Sequence, residues 1–155
     1  MKKTDLAYIA GLFDGEGSIG LNKTKNYNGT GSVYYRLLVQ VCMVEEYIPQ
    51  WLHLNFGGSL SKRIMVKPRR NITHWQIANR KAAEFLKVIL PYLKIKKPQA
   101  EVALEFQSQR RISGGIKGKR GHPFKTEGEQ AIEEVQFILM KNLKNREGTY
   151  VGHNV

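Results

Sequence analysis

The apolar residues of this chain repeat at a helical period in some segments and at every second position in others. Leu6, Ile9 and Phe13, with Ala10 at the margin, follow the 3.6-residue period of a helix with one buried face. Thr4 or Asp5 can cap this helix. Alternation predicts strands over 18–25, 33–43, 59–66 and 72–78, and the helical period returns over 45–56, 80–90, 99–110 and 126–145.

The order of these elements predicts an α+β fold. It gives an αββαββα core with a four-stranded antiparallel, saddle-shaped sheet, followed by extra C-terminal helices. Pro49 fits only in the first turn of its helix, so that helix is expected to start late. We interpret residues 1–155 as one domain, with a core over about 4–96 and a helical extension over about 97–146.

One face of the predicted sheet is apolar and the other is rich in hydrogen-bonding side chains. In the strand 33–43, Leu37 and Val39 point to the core, whereas Arg36 and Gln40 point away from it and suit guanine and adenine edges. This pattern alone fits an ordinary solvated sheet face as well as one that contacts DNA, and the charge and the helix motif described below favour contact with DNA. The residues predicted to make these contacts are Asn22, Thr24, Asn26, Tyr34, Arg36, Leu38, Gln40, Ser61, Arg63, Met65, Arg69, Arg70, His74 and Gln76.

The charge of the chain favours a polyanionic partner. It has 25 basic and 13 acidic residues, which give a net charge of +12 and a pI near 9.9. A glycine-rich loop before the last helix carries Lys117, Lys119 and Arg120, which are expected to follow DNA phosphates rather than read bases. The alternatives are a generically basic protein and a loop without a role.

The cysteine content and the hydropathy of the chain further limit the class of protein to which it can belong. Cys42 is the only cysteine, so no disulfide within the chain is expected, and we interpret it as a small core residue. No apolar run approaches the length of a membrane span, and no signal peptide precedes the first helix. We expect an intracellular protein without a membrane partner, in the prokaryotic cytoplasm or organelle that holds its host genome.

The segment from Leu6 to Gly20 ends a helix on an acidic residue and turns directly into a strand. Ala7, Gly11 and Gly15 lie four residues apart, and their small size would let another backbone approach. Glu16 stands at the C-terminal end of the helix, where the dipole disfavours an anion by about 0.3–1 kcal/mol. A bound divalent cation would offset this effect; a glycine-rich helix end in some other α+β domain is the alternative.

The nonapeptide IAGLFDGEG, residues 9–17, resembles the LAGLIDADG motif of homing endonucleases. The residues identical to that motif are Ala10, Gly11, Leu12, Asp14 and Gly17. Chains with one copy of the motif act as homodimers in that family, whereas chains with two copies are monomers. The resemblance thus implies a homodimer, with an interface formed by Ala7, Ala10, Gly11, Asp14 and Gly15.

The same resemblance implies a catalytic site. Glu16 matches the metal-binding acid, aided by the carbonyl of Gly15, and Lys96 matches a lysine that lines the active site; an ordinary exposed lysine is the alternative. The implied cofactor is Mg²⁺. Mn²⁺ or Ca²⁺ could occupy the site, although Ca²⁺ is not expected to support cleavage. Asp14 is expected to be structural, with direct metal contact as the alternative, and Met43 stands where close relatives place a polar residue.

The resemblance, which the charge and the polar sheet face support, implies a site-specific double-strand DNA endonuclease of the intron type. The resemblance implies a homodimer that hydrolyses phosphodiesters of a long, near-palindromic site with a divalent metal. One alternative is a non-cleaving binder on the same fold, either an intron-splicing maturase or a transcriptional regulator. Another is an unrelated basic RNA-binding protein; no residue specifically indicates a splicing role.

Overall fold

The computed structural model describes residues 1–25, 33–110 and 126–147. Its helices are α1 (Lys3–Gly15), α2 (Tyr47–Phe56), α3 (Asn79–Ile89), α4 (Lys97–Gln109) and α5 (Glu127–Glu147), with a 3₁₀ turn at Leu90–Tyr92. Its strands are β1 (Gly17–Lys25), β2 (Val33–Met43), β3 (Ser59–Arg63) and β4 (Ile72–Ala78). This order confirms the predicted α+β fold class. No described helix combines the length and hydropathy that crossing a bilayer requires.

The described strands form one antiparallel sheet in the order β1-β2-β4-β3. β1 pairs with β2 along its length, from Gly17 opposite Val41 to Lys25 opposite Val33. β4 lies between β2 and β3 and pairs with both. β1 and β3 are therefore the edge strands, and directly paired residues share one face of the sheet.

The helices cover one face of this sheet and enclose an aromatic core. Phe13 of α1, Trp75 of β4 and Phe85 of α3 contact one another, with ring centroids 5.0 to 6.1 Å apart. All three rings are buried, and Trp75 Nε1 donates a hydrogen bond to the carbonyl of Gly57 at 2.8 Å. This ring packing fixes α1 against the sheet.

The last helix begins with the predicted capping box and packs against the rest of the core. The N–H of Glu129 donates to Thr126 Oγ1 at 3.2 Å, and the N–H of Thr126 donates to Glu129 Oε2 at 2.9 Å. Phe137 then lies against Tyr35, with ring centroids 5.4 Å apart, and Met140 is buried. α5 therefore belongs to the same hydrophobic core as the sheet.

The predicted ends of β3 and α1 are wrong, and α4 begins at Lys97 rather than at residue 99. β3 ends at Arg63 rather than at residue 66, and Ile64 and Val66 are 82% and 87% exposed. Arg63 is the last residue with a partner, because β4 begins at Ile72 opposite it. α1 begins at Lys3, before the predicted caps, and the Asp5 carboxylate accepts the N–H of Lys2 from within the first turn, at 2.9 Å.

Cys42 is exposed, so its interpretation as a core residue is also wrong. It pairs with His74 on the face of the sheet that points away from the helices. The apolar composition of β2 suggested burial, whereas the position of Cys42 in the alternation decides its face. Partial desolvation nevertheless raises the pKa of its thiol above the ordinary value.

Candidate active site and nucleic-acid interface

The C-terminal end of α1 presents Glu16 to solvent. The N–H of Glu16 closes the helix by donating to the carbonyl of Leu12 at 2.7 Å, while its side chain is exposed. The strand then starts at Gly17, where an added Cβ would lie 2.7 Å from Cα of the buried Phe13. Because only glycine allows this close approach, Gly17 sets the path of the chain as it leaves Glu16.

Asp14 ties this helix end to the segment that follows α3. Its Oδ2 accepts the N–H of Lys94 at 2.8 Å, and its Oδ1 accepts those of Ile95 at 3.2 Å and Lys96 at 2.8 Å. An ionised carboxylate has about four acceptor positions, so these three donors leave little capacity for a cation. The geometry agrees with the structural role expected for Asp14.

Lys96 brings an ammonium group to the same helix end. The residue is 7% exposed, and its Nζ donates to the carbonyls of Phe13 at 3.0 Å and Asp14 at 2.8 Å. A cation in this position stabilises the negative end of the helix dipole. Because Lys96 is buried, it is not an ordinary exposed lysine. Its ammonium group lies at the carbonyls of the two residues that precede Gly15 and Glu16.

The small residues of α1 face outward. Ala7, Gly11 and Gly15 are exposed, and nothing in the described chain lies within 4 Å of a Cβ placed on either glycine. An open strip of helix surface therefore runs up to Glu16. Ala10 is fully buried in the core of its own chain and has no surface to offer a second subunit, so its predicted place in the interface is wrong.

The predicted DNA-contacting side chains lie mainly on the sheet face opposite the helices. Gln40 pairs there with Ser18 on one side and Gln76 on the other, and Arg36 pairs with Asn22. In β4, exposure alternates between this face and the buried one. The predicted residues that the register places on this polar face are Asn22, Thr24, Tyr34, Arg36, Leu38, Gln40, Ser61, Arg63, His74 and Gln76.

The remaining predicted contacts lie elsewhere. Met65 is beyond the end of β3, where it is half-buried and its N–H donates to Asn71 Oδ1 at 3.1 Å, so its assignment to a strand face is wrong. Arg69 and Arg70 are exposed in the turn before β4. The residues outside the described part of the chain are Asn26, Lys117, Lys119 and Arg120.

Two contacts on the polar face were not predicted. His74 Nε2 lies 3.3 Å from Gln40 Oε1, which links β4 to β2. Lys144 of α5 donates from Nζ to Ser18 Oγ at 3.1 Å. The two residues are 126 positions apart, so no local spacing could indicate this pair.

The donor atoms at the end of α1 suit a hard divalent cation. The Glu16 carboxylate and the Gly15 carbonyl offer oxygen, the ligand that Mg²⁺ prefers. Within the described residues of one chain, no group of three or more His, Cys, Asp or Glu side chains could hold a metal ion. A cation held here by the described residues of one chain would therefore take its further oxygen ligands from a second copy, water or phosphate.

Solved structures share this fold at low sequence identity. Homing endonuclease I-CvuI in complex with the I-CreI target matches with a TM-score of 0.60 at 14% identity, over 86% of this chain and 95% of that one. The match to another I-CvuI complex covers 68% of this chain and 66% of that one, just under two thirds of its length. Archaeal intron-encoded I-Vdi141I, complexed with DNA, gives 0.58 at 14% identity over 93% and 99% of the two chains. I-TnaI gives 0.60 at 13% identity over 90% and 93%.

Sequence comparison adds the family. No curated protein matches the chain. The sequence profile of LAGLIDADG endonucleases, however, matches residues 9–112, which run from α1 past the end of α4 and make up more than half of the chain. The chain therefore belongs to the LAGLIDADG endonuclease family.

Proposed function

We propose that this protein is a site-specific endonuclease that cuts both strands of a long, near-palindromic DNA site as a homodimer. The observation that carries the proposal is the meeting of an exposed acid and a buried ammonium group at one helix end. Glu16 and Lys96 both lie at the end of α1, beside the open strip formed by Ala7, Gly11 and Gly15. This arrangement supports a reaction centre built where two α1 helices meet.

A second copy packed along this strip would bring two Glu16 carboxylates together. Two adjacent carboxylates repel each other, and a divalent cation relieves the repulsion. Sharing the site between subunits would also account for the absence of a complete group of metal-binding side chains among the described residues of one chain. The dimer and the cation are therefore coupled parts of one proposal.

The residues around the site have separate roles in the proposed hydrolysis. Bound Mg²⁺ would polarise a phosphoryl oxygen, lower the pKa of an attacking water and stabilise the leaving 3′-oxygen. Glu16 would hold the cation, aided by the Gly15 carbonyl, while Lys96 would keep positive charge near the scissile phosphate. Asp14 would act as a positioning residue, because it binds the backbone of Lys96.

The polar face of the sheet would bind the DNA. Arg36 and Gln40 lie on the same face of β2, with Leu38 between them, and suit contacts with base edges in the major groove. The net charge of +12 supports phosphate binding around them. I-CvuI and I-Vdi141I are both described in complex with DNA. The protein would act in whichever compartment holds its target DNA.

The alternative is a DNA- or RNA-binding protein on the same fold that does not cleave. Glu16 favours the nuclease, because an exposed acid beside a bound polyanion weakens binding and has no use without a cation. Nothing in the described residues specifically favours the alternative.

The test is selection of cleaved sites from a randomised duplex library in Mg²⁺, with a parallel selection in EDTA. Recovery of near-palindromic sites in Mg²⁺ alone supports the proposal, since the symmetry of the sites reports the dimer. Cleavage in EDTA would contradict the role of the metal. Binding of a specific site without cleavage in Mg²⁺ or Mn²⁺ would instead support the alternative.

A further inference from the structure

The last helix lies along the edge strand β1 and runs in the opposite direction. Near one end, Lys23 Nζ is 2.7 Å from Glu134 Oε2, and near the other, Lys144 Nζ is 3.1 Å from Ser18 Oγ. The ten residues from 134 to 144 span about 15 Å of helix. The five residues from 18 to 23 span about 17 Å of strand. α5 therefore brings its C-terminal end to the end of β1 that adjoins Glu16.

The side chain of Lys144 crosses from the helical layer to the polar face. α5 packs beneath the sheet through Phe137 and Met140. Ser18, in contrast, lies on the opposite face, because it pairs directly with Gln40. Since β1 is an edge strand, the lysine reaches this face around the edge of the sheet.

Gly20 provides the space that Lys144 occupies. A Cβ added at Gly20 would lie 2.5 Å from Nζ and 3.1 Å from Cε of Lys144. Any other residue at position 20 would push the ammonium group out of this place. Gly20 leaves room for the Lys144 ammonium group, and Ser18 accepts a hydrogen bond from it. The ammonium group therefore lies beside Ser18, which is two residues beyond Glu16 along the chain.

We propose that Lys144 is a phosphate-binding residue that holds the DNA backbone beside the scissile bond. The inference rests on the proposed function and adds to it a contact contributed by the helical extension. A lysine at a helix C-terminus also stabilises the helix dipole, but that effect does not require it to reach the other face of the sheet. DNA phosphate is the only polyanion that the proposed function places on this face.

Lys144→Met tests the proposal, with Lys87→Met as the matched control. Lys87 is an exposed lysine in the last turn of α3, behind the sheet, so it shares the dipole effect and lacks access to the polar face. The loss of one phosphate contact lowers the magnitude of the log–log salt slope of DNA affinity by about 1 per subunit. We therefore expect a decrease of about 2 per dimer for Lys144→Met and no change for Lys87→Met.

Gly20→Ala provides a second and independent test. The new methyl group meets only the flexible end of Lys144, so the fold should persist while the ammonium group is displaced. This variant should reproduce the reduced salt slope, and the double variant with Lys144→Met should show little additional change. Lys144→Arg should restore most of the slope.

The outcomes separate this inference from the proposed function. A wild-type protein that binds no DNA overturns both. Suppose instead that the wild type binds and cleaves DNA, and that the Lys144→Met and Gly20→Ala variants keep its salt slope. This result overturns the role of Lys144 and leaves the proposed function intact. If Lys144→Met lowers the free energy of unfolding with no change in slope, the contact with Ser18 only packs α5 on β1.

Discussion

Asp14 and Glu16 are two residues apart and have different surroundings. Asp14 accepts three backbone N–H groups, whereas the side chain of Glu16 is exposed. Hydrogen bonds occupy most of the acceptor capacity of Asp14, and water or a cation can reach Glu16. At the residue scale, Asp14 therefore has structural surroundings, and Glu16 is the acid that the proposed cation can reach.

Glu16→Gln tests the chemical part of this division. The amide keeps the shape of the side chain and removes the charge that would hold the cation. We expect single-turnover cleavage to fall by roughly 10²–10³-fold or more, the scale of losing an electrostatic contact to a transition state. Affinity measured in Ca²⁺ should be retained. Glu101→Gln, at an exposed glutamate of α4, is the control and should cleave normally; an active Glu16→Gln would remove this residue from the metal site.

Lys96→Met tests the buried ammonium group. Two charged hydrogen bonds to helix carbonyls are lost, so the free energy of unfolding should fall by about 1.5–3 kcal/mol, measured by denaturant titration. We also expect cleavage to slow more than binding weakens. The adjacent exposed Lys97→Met is the control and should change neither quantity. Equal losses of cleavage and binding would make Lys96 a phosphate anchor only, and a loss of stability alone would make it structural.

At the scale of elements, α1 has two surfaces with different surroundings. Its Phe13 side packs into the aromatic core, and its Gly11 side is open. The packing of the first surface sets where the helix ends and the strand begins. The second surface is where a partner helix is proposed to lie.

Gly17→Ala tests the junction between α1 and β1. The methyl group would overlap the backbone of Phe13, so the free energy of unfolding should fall by about 1–3 kcal/mol, as for other overpacked sites. Gly128→Ala is the control, because a Cβ there, in the first turn of α5, meets only Thr126 Oγ1 at 4.0 Å. It should be neutral or stabilising by up to about 1 kcal/mol. Equal effects of the two substitutions in chemical denaturation would contradict the close approach at Gly17.

Gly11→Leu tests the open surface of α1. The leucine has space in the single chain and would block the approach of a second helix, so folded monomers should result. Sedimentation equilibrium measures the dimer, and Glu101→Leu controls for an added exposed leucine on another helix. A stable and active Gly11→Leu dimer would show that subunits do not meet on this strip.

The local pattern of residue types in the sequence predicted the structure correctly where the interacting residues are close together in the chain. The bounds of β2 and the capping box of Thr126 and Glu129 agree with the structure because alternation and capping are local effects. The end of β3 was wrong because strand pairing stops where the partner strand begins. The contact between Lys144 and Ser18 depends on two elements meeting in space, which no spacing along the chain encodes.

The candidate site was predicted through resemblance more than through pattern. The motif pointed to Glu16, and the glycine that follows it, Gly17, is where the structure needs one, whereas Gly15 has open space around it. The two bonds from Lys96 to the end of α1 follow from the path between α3 and α4, which the sequence alone did not specify. Ala10 was assigned to the interface because it lies within the motif, although its position on the helix directs it into the core.

At the scale of the whole molecule, charge should dominate DNA affinity. Each subunit carries +12, and a dimer doubles that charge. The log–log slope of affinity against salt should be about −0.9 for each phosphate contact. If the dimer makes as many as about 6–10 such contacts, affinity should fall by about 10³–10⁵ between roughly 50 and 200 mM salt. Titration of labelled duplex at several salt concentrations measures the slope, and a slope near zero would contradict a phosphate-binding surface.

The most direct test of the account is the anomalous scattering of Mn²⁺ in a crystal of the protein bound to its selected DNA site. We expect metal peaks at the twofold axis between the protomers, coordinated by the two Glu16 carboxylates and by oxygen atoms of the scissile phosphates. A complex with the two Glu16 side chains far apart, or with no metal peak between protein and scissile phosphate, would contradict it.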